Sequence, residues 1–279
     1  MTDFNYCAQQ VERFDKDRYL CTLFAPPDRR PGLFALYAFN QEVAQARELV
    51  SEPLLGHMRL QWWADALEGI YGGTPPAHPV ARPLSETIQK YDLNRRHFDD
   101  LLQARRLDME DIPPADPQAL TDYASGTAGT LSELTMEVIG AFDRGAREAA
   151  RHVGTAWALT GLLRAVPYHA KARRCYLPAS LCREAGVQLS ELYELRSETA
   201  LLTVTGEVAA MARHHLDIAR LRRTNIPKTA VPALLTATLA DVYLKRMRVV
   251  NYDPLDARVQ LPAPGRLIRL LWNRMRNRY

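Results

Sequence analysis

The sequence lacks the features that would place it in several large functional classes. No apolar run approaches the roughly 18–20 residues needed to cross a bilayer, so no membrane-spanning helix is expected. The four cysteines, Cys7, Cys21, Cys175 and Cys182, form no CxxC pair. They read as reduced thiols in a cytosol-like compartment rather than zinc or disulfide ligands. The histidines show no HExxH or similar spacing. His214 and His215 are adjacent, so on a helix they point about 100° apart and cannot share a ligand face. The formal charge of +4, from 36 basic and 32 acidic residues, is too small an excess to indicate a nucleic-acid partner. Low-complexity linkers are absent, as is any repeat of roughly 20–50 residues. The N-terminal stretch Met1 to Tyr6 carries Asp3 and no early arginine, unlike a signal or transit peptide. A bacterial cytoplasm, or a mature organellar form, is the expected setting.

What the chain does have is helical periodicity. β-branched alternation is scarce, and strong helix formers run through 33–50, 55–71, 80–91, 95–107, 117–140, 143–166, 198–223 and 232–250. Breaks are supplied by Gly72-Gly73-Thr74-Pro75-Pro76, by Ile112-Pro113-Pro114 and by Pro167, which is expected to end the 143–166 helix. The expectation is an all-α protein, one domain over 1–279. Its helices are too numerous for a four-helix bundle, so they should surround a central cavity. Residues 264–279 form a separate basic amphipathic C-terminal helix. From Arg266 to Tyr279 there are five arginines and no acid, with Leu267, Ile268, Leu270, Leu271, Trp272 and Met275 interleaved. Such a helix can lie on an anionic membrane surface through Arg266, Arg269, Trp272, Arg274 and Arg276, or pack on the body with its arginines solvated.

Two segments carry the chemistry. On the first, Tyr37, Gln41, Ala44, Gln45 and Glu48 share a helical face of mixed polarity. That face is either a solvent edge or the wall of a polar cavity. On the second, Gly154, Ala158, Gly161 and Ala165 share a face of small residues. Mid-helix glycine costs on the order of 1 kcal/mol relative to alanine, so the pattern implies close helix approach or room for a ligand. For Trp62-Trp63, the ordinary reading is Trp63 in the core and Trp62 at its boundary.

Several runs give these faces a context: Ala35-Leu36-Tyr37-Ala38-Phe39, Trp63/Leu67/Tyr71, Asp122-Tyr123 to Gly140, Leu159-Thr160, Leu163-Arg164 and Arg174-Cys175-Tyr176-Leu177-Pro178. In order and spacing they resemble the squalene/phytoene synthase family. The resemblance implies an isoprenoid-synthase-type helical bundle. In it, two aspartate-rich motifs hold Mg²⁺ against a prenyl diphosphate. Here the first motif reads Ala44-Gln45-Ala46-Arg47-Glu48, and the second leaves Ala158, Gly161, Ala165 and His169 in the ligand places. Mg²⁺ demands hard oxygen donors, and ionising a prenyl diphosphate demands neutralisation of its departing charge. Prenyl synthase activity is therefore expected to be weak or absent. No catalytic or metal-binding residue is assigned, and no cofactor is expected. The alternative is a divergent head-to-head prenyltransferase acting on farnesyl or geranylgeranyl diphosphate with Mg²⁺. Arg47, Arg164, Lys171, Arg173 and Arg174 remain nearby, and arginine forks bind phosphate without metal.

Within the family, the chain is similar to the mitochondrial branch that assists assembly of respiratory complex I. The matching runs include Tyr19 to Leu23, Val50-Ser51-Glu52, Met58-Arg59-x-Gln61-x-Trp63 and, most distinctively, Leu163-Arg164-Ala165-x-Pro167-Tyr168-His169. That resemblance implies a pseudoenzyme that binds a complex I subunit or assembly intermediate, close to the inner membrane. An isoprenoid or lipid ligand is a further candidate partner. Tyr37, Gln41, Gln45, Glu48, Arg164, His169, Arg174 and Tyr176 are the candidate residues of the cavity mouth, with a His169–Glu48 contact replacing the metal bridge.

Overall fold

The structure is a computed structural model that describes residues 3–50 and 52–279. Met1 and Thr2 of the N-terminal stretch, and Ser51 of the Val50-Ser51-Glu52 run, lie outside the described residues. Among the described residues every regular element is helical. In chain order the helices are α1 (Asp3–Phe14), α2 (Lys16–Thr22), α3 (Arg30–Ala44), α4 (Pro53–Tyr71), α5 (Ala81–Tyr91), α6 (Arg95–Arg105), α7 (Pro117–Ala124) and α8 (Thr130–Ile139). They continue with α9 (Arg144–Lys171), α10 (Ala179–Ala185), α11 (Leu189–Tyr193), α12 (Thr199–Leu221), α13 (Thr236–Val249), α14 (Ala257–Gln260) and α15 (Arg266–Met275). Side-chain caps start three of the principal helices: Asn94 accepts from Arg96 N at 3.0 Å, Asp116 from Ala119 N at 2.8 Å and Asp143 from Ala146 N at 3.1 Å.

The spine is α9. It packs against α7, α8, α12 and α13, and its Ala149, Val153, Ala156, Leu159 and Leu163 are fully buried. The small-residue face expected there divides into two functions. A Cβ at Gly154 would collide with the Ala128 carbonyl and with the Ser132 hydroxyl, so this glycine permits close helix approach. A Cβ at Gly161 would meet no atom within 4 Å, so this one borders open space. On its α12 side, α9 is joined through His152 Nδ1 and His215 Nδ1, 2.8 Å apart, where one imidazole donates and the other accepts. Trp63 is core and Trp62 is exposed, following Leu54, Leu55 and Met58 along an outward apolar row of α4. All four cysteines are buried free thiols.

Three helix boundaries differ from the sequence expectation. The 33–50 helix stops at Ala44, and residues 45–49 form turns. Tyr37 and Glu48 therefore do not share a helical face. The 117–140 segment is broken by a π-turn over Ser125–Gly129, where the Thr127 hydroxyl donates to the Tyr123 carbonyl at 2.8 Å and the Thr130 hydroxyl to the Ser125 carbonyl at 3.2 Å. Pro167 does not terminate α9, which continues to Lys171. An interior proline costs about 3 kcal/mol. What offsets that cost is the burial of Ala170 and the packing of His169 on Tyr176. The helix ends where Arg173 adopts φ 55°, with Arg173 N and Arg174 N bonded to the Ala170 and His169 carbonyls.

Candidate functional site: a polar cavity beside α9

The cavity lies where α3, α6, α7 and α9 converge and has a volume of about 220 Å³. Its α9 wall is Ala158, Gly161, Leu162, Ala165 and His169, the face where the resemblance implies the second aspartate motif. Arg18, Asn40, Arg105, Tyr123 and Trp157 supply the rest of its polar and aromatic lining. Arg18 is held by Asp15 at 2.7 Å, with its guanidinium 6.0 Å from the Trp157 ring centre and 5.5 Å from that of Tyr37. Two buried atoms at the cavity have no protein partner among the described residues: Asn40 Oδ1 and Arg105 Nε.

Behind this wall sits a buried carboxylate. Asp108 follows Arg105 by three residues, in the 3₁₀ turn Arg106–Met109 after α6. Its Oδ1 accepts from the Tyr123 hydroxyl at 2.7 Å and the Tyr176 hydroxyl at 2.9 Å, and its Oδ2 accepts from Arg105 Nη1 at 3.3 Å. Arg105 Nη1 also donates to the Tyr123 oxygen at 2.9 Å. Burial, with the adjacent Asp108 charge, raises both tyrosine pKa values, so both phenols stay protonated as donors. His169 packs on Tyr176 with ring centres 4.5 Å apart. Burial pushes its imidazole down to about 4, so it is neutral near pH 7.

A second paired carboxylate lies three residues beyond Asp108. Asp111, at φ 51°, accepts from Arg47 Nη2 at 2.6 Å and Nε at 3.2 Å, and forms an ion pair with Arg174, Nε to Oδ1 3.1 Å. The arginine of the first motif and the arginine after the second thus meet on one loop aspartate. Glu48 is exposed and neighbours Tyr168, whose phenol is raised by burial and by the Glu48 charge. His169 instead faces Tyr176 and the Asp108 side, so the expected His169–Glu48 bridge is replaced by two separate contacts.

The other expected residues are placed as follows. His169, Arg174 and Tyr176 come together. Tyr37 is buried beside Thr135, 3.3 Å from its hydroxyl. Gln41 lies half-buried in the last turn of α3, and Gln45 in the turn beyond it. Arg164 is drawn away from the mouth. Its guanidinium lies 3.7 Å from the Tyr243 ring centre, and its Nε donates to the Val259 carbonyl at 3.4 Å. Arg18, Asn40, Arg105, Asp108, Asp111 and Trp157 were not singled out from the sequence. The visible signals were the Arg105/Asp108 spacing of one turn and the acidic run before Ile112-Pro113-Pro114.

These residues do not fit a magnesium site. Both oxygens of Asp108 are engaged by two phenols and a guanidinium, and Asp111 is engaged by two guanidinium groups. Among the described residues no group of three or more His, Cys, Asp or Glu side chains could hold a metal ion. Hard dications need several free oxygens in one place. The apolar space beneath His169 and Arg174, walled by Leu120, Leu162, Leu163 and Val166, has about 10 Å³, room for one water at most. A pocket for a larger ligand spans on the order of 300–1,000 Å³.

Comparison with known proteins places this geometry. The sequence model of the family described as squalene/phytoene synthase matches residues 11–265. A relative from Bos taurus named NADH dehydrogenase (ubiquinone) complex I, assembly factor 6, is 35% identical over 248 residues, 89% of this chain and 74% of its own length. The Homo sapiens protein of that name is 33% identical over 249 residues, 89% of this chain and 75% of its own. A presqualene diphosphate synthase from Rhodopseudomonas palustris is 24% identical over 216 residues, 77% of each chain. Among solved structures, a dehydrosqualene synthase in complex with ligand superposes with TM-score 0.84 at 22% identity, covering 98% of this chain and 95% of that one.

Proposed function

The chain belongs to the squalene/phytoene synthase family, and on that premise we propose that it is a binding protein for assembly of a complex I-type NADH:quinone oxidoreductase rather than a prenyl synthase. The observation that carries this reading is internal neutralisation. Asp15 and Asp108, which bond the lining residues Arg18, Arg105 and Tyr123, and Asp111, which pairs with Arg47 and Arg174, spend their oxygens on protein donors. The places where the resemblance implies metal ligands hold Ala44, Gln45 and a single carboxylate, Glu48, on one side and Ala158, Gly161, Ala165 and His169 on the other. One glutamate offers too few anionic oxygens to gather dications against a departing diphosphate. The relatives named as assembly factors, at 33–35% identity, support the binding role. So does the row of Leu54, Leu55, Met58 and Trp62 on α4, an exposed apolar strip of the kind that marks protein contacts.

The direct test is deletion of the gene in its host, with assembled NADH:quinone oxidoreductase followed on native gels. Loss of the full complex, restored by the wild-type chain, is expected. An unchanged amount of full complex would overturn the reading.

The cavity favours an accompanying ligand reading. Arg18, Asn40 and Arg105 line about 220 Å³, and the buried Arg105 Nε has no protein partner among the described residues. An anionic headgroup, from a lipid or from an isoprenoid diphosphate held but not ionised, would accept from the Arg105 Nε–H and from the Arg18 guanidinium. Thermal stabilisation by farnesyl diphosphate in the presence of a chelator, lost in Arg18→Gln, is the expected result. Stabilisation that requires added Mg²⁺ would count against it.

A further inference from the structure

The most unusual surface of the molecule is α15. It begins at Arg266, one residue beyond the segment matched by the family. Its inward side is fixed at several points. Leu270 is fully buried against the second core cluster with Leu239 and Tyr243. Asn273 Nδ2 donates to the Thr238 hydroxyl at 2.8 Å, and Arg266 Nη1 donates to the buried Asp17 at 2.9 Å. Just beyond the helix, Tyr279 is buried, and its hydroxyl donates to the Ala219 carbonyl at 2.8 Å. Arg266 is therefore an anchor to the body and not one of the free surface cations that the sequence suggested.

With that side committed, the helix turns its apolar residues outward. Leu267, Ile268, Leu271, Trp272 and Met275 are all exposed, Ile268 at 75% and Met275 at 70%. At about 100° per residue these five positions fill one continuous stripe about 140° wide. Arg269 and Arg276 fall on one margin of the stripe and Arg274 on the other. Among the described residues Arg269 bonds the nearby Pro264 carbonyl at 3.3 Å, and Arg276 lies 5.1 Å from the Trp272 ring centre. No acidic residue occurs between Gly265 and Tyr279. A surface helix of a globular protein ordinarily shows the reverse arrangement, apolar stripe in and polar face out.

We propose that α15 is an in-plane docking helix for an anionic bilayer. The stripe of Leu267, Ile268, Leu271, Trp272 and Met275 enters the headgroup–acyl boundary, and Arg269, Arg274 and Arg276 contact lipid phosphates. The occupant follows from charge and shape together. A bilayer interface offers an apolar layer beneath a sheet of anions, which matches an apolar stripe with cationic margins. The tether through Asp17, Thr238 and Ala219 makes the contact a rigid one. The body is then held at a fixed orientation to the surface rather than on a flexible tail.

The test uses the full chain and flotation with vesicles of phosphatidylcholine, with or without phosphatidylglycerol. Wild type should float with the anionic vesicles, less with neutral ones, and less at high salt. Arg269→Glu with Arg276→Glu should weaken anionic binding by about thirty-fold or more, at about tenfold per 1.4 kcal/mol and about 1 kcal/mol for each cation lost. Ile268→Glu with Met275→Glu should abolish it on both vesicle types. All four positions are exposed, so circular dichroism melts should be unchanged. Equal flotation of wild type and both variants would overturn the proposal. So would a dimer seen by analytical ultracentrifugation that Ile268→Glu dissociates, with no wild-type partition into vesicles, since the stripe would then serve a second copy.

Discussion

Gly154 and Gly161 stand two turns apart on one face of α9, yet Gly154 is pressed against the Ala128 carbonyl while Gly161 borders empty space. Their alanine variants should move stability in opposite directions. Gly154→Ala forces α9 away from the π-turn and should lower unfolding stability by about 1–3 kcal/mol. Gly161→Ala adds helix propensity without a clash and should raise it by up to about 1 kcal/mol. Urea denaturation of the two variants checks both signs.

Asp108 is the shared acceptor of Tyr123, Tyr176 and Arg105. Asp108→Asn keeps the shape but removes the charge opposite a well-buried guanidinium. A loss of about 3 kcal/mol is expected, because breaking a buried pair strands the remaining ion. Tyr123→Phe removes one neutral donor and should cost less, about 1–2 kcal/mol. If the order of the two variants is reversed, the carboxylate is not the centre of this cluster.

His169 is half-buried and neutral near pH 7, its pKa pushed down from 6.5 to about 4 by desolvation. Its folded-state value lies below its unfolded value, so its stabilising contribution is complete above about pH 6.5 and shrinks as pH falls toward 4. The full swing is of the order of 3 kcal/mol. The stability difference between wild type and His169→Gln should therefore narrow on going from neutral pH to pH about 4.5. His215 titrates downward in the same direction, through burial and then the charge of His152, but it is common to both proteins and cancels in the comparison. A pH-independent difference would show that His169 is not buried as described.

Purified protein incubated with farnesyl or geranylgeranyl diphosphate and Mg²⁺ should release no pyrophosphate above background. Turnover abolished by Glu48→Ala would reinstate the prenyltransferase alternative, since Glu48 is the one carboxylate of the first motif stretch.

The sequence carried the helical architecture and the α9 wall well, because both rest on local periodicity. Ala158, Gly161 and Ala165 could be placed on one side of a helix from spacing alone, and they line the cavity; His169 joins them only because α9 continues through Pro167. The first motif was less legible. Arg47 is pulled out of helical register into a contact with Asp111, 64 residues away, and no local pattern reports such a pairing. Pro167 misled for a related reason: a local penalty lost to packing by Ala170 and His169. Arg164 was assigned to the mouth because of its neighbours in sequence, but Tyr243 and the Val259 carbonyl claim it from the other side of the helix.

The long α9 also ties distant parts of the molecule to one another. The same rod that borders the cavity at Gly161 bears His152, which shares a proton with His215 on α12. A guest bulky enough to lean on that rod must disturb the shared proton, so the nitrogen resonances of this imidazole couple would act as a remote gauge of cavity occupancy, readable by NMR without touching the cavity itself. Resonances that stay fixed while a guest saturates the protein would show that the rod does not transmit the load.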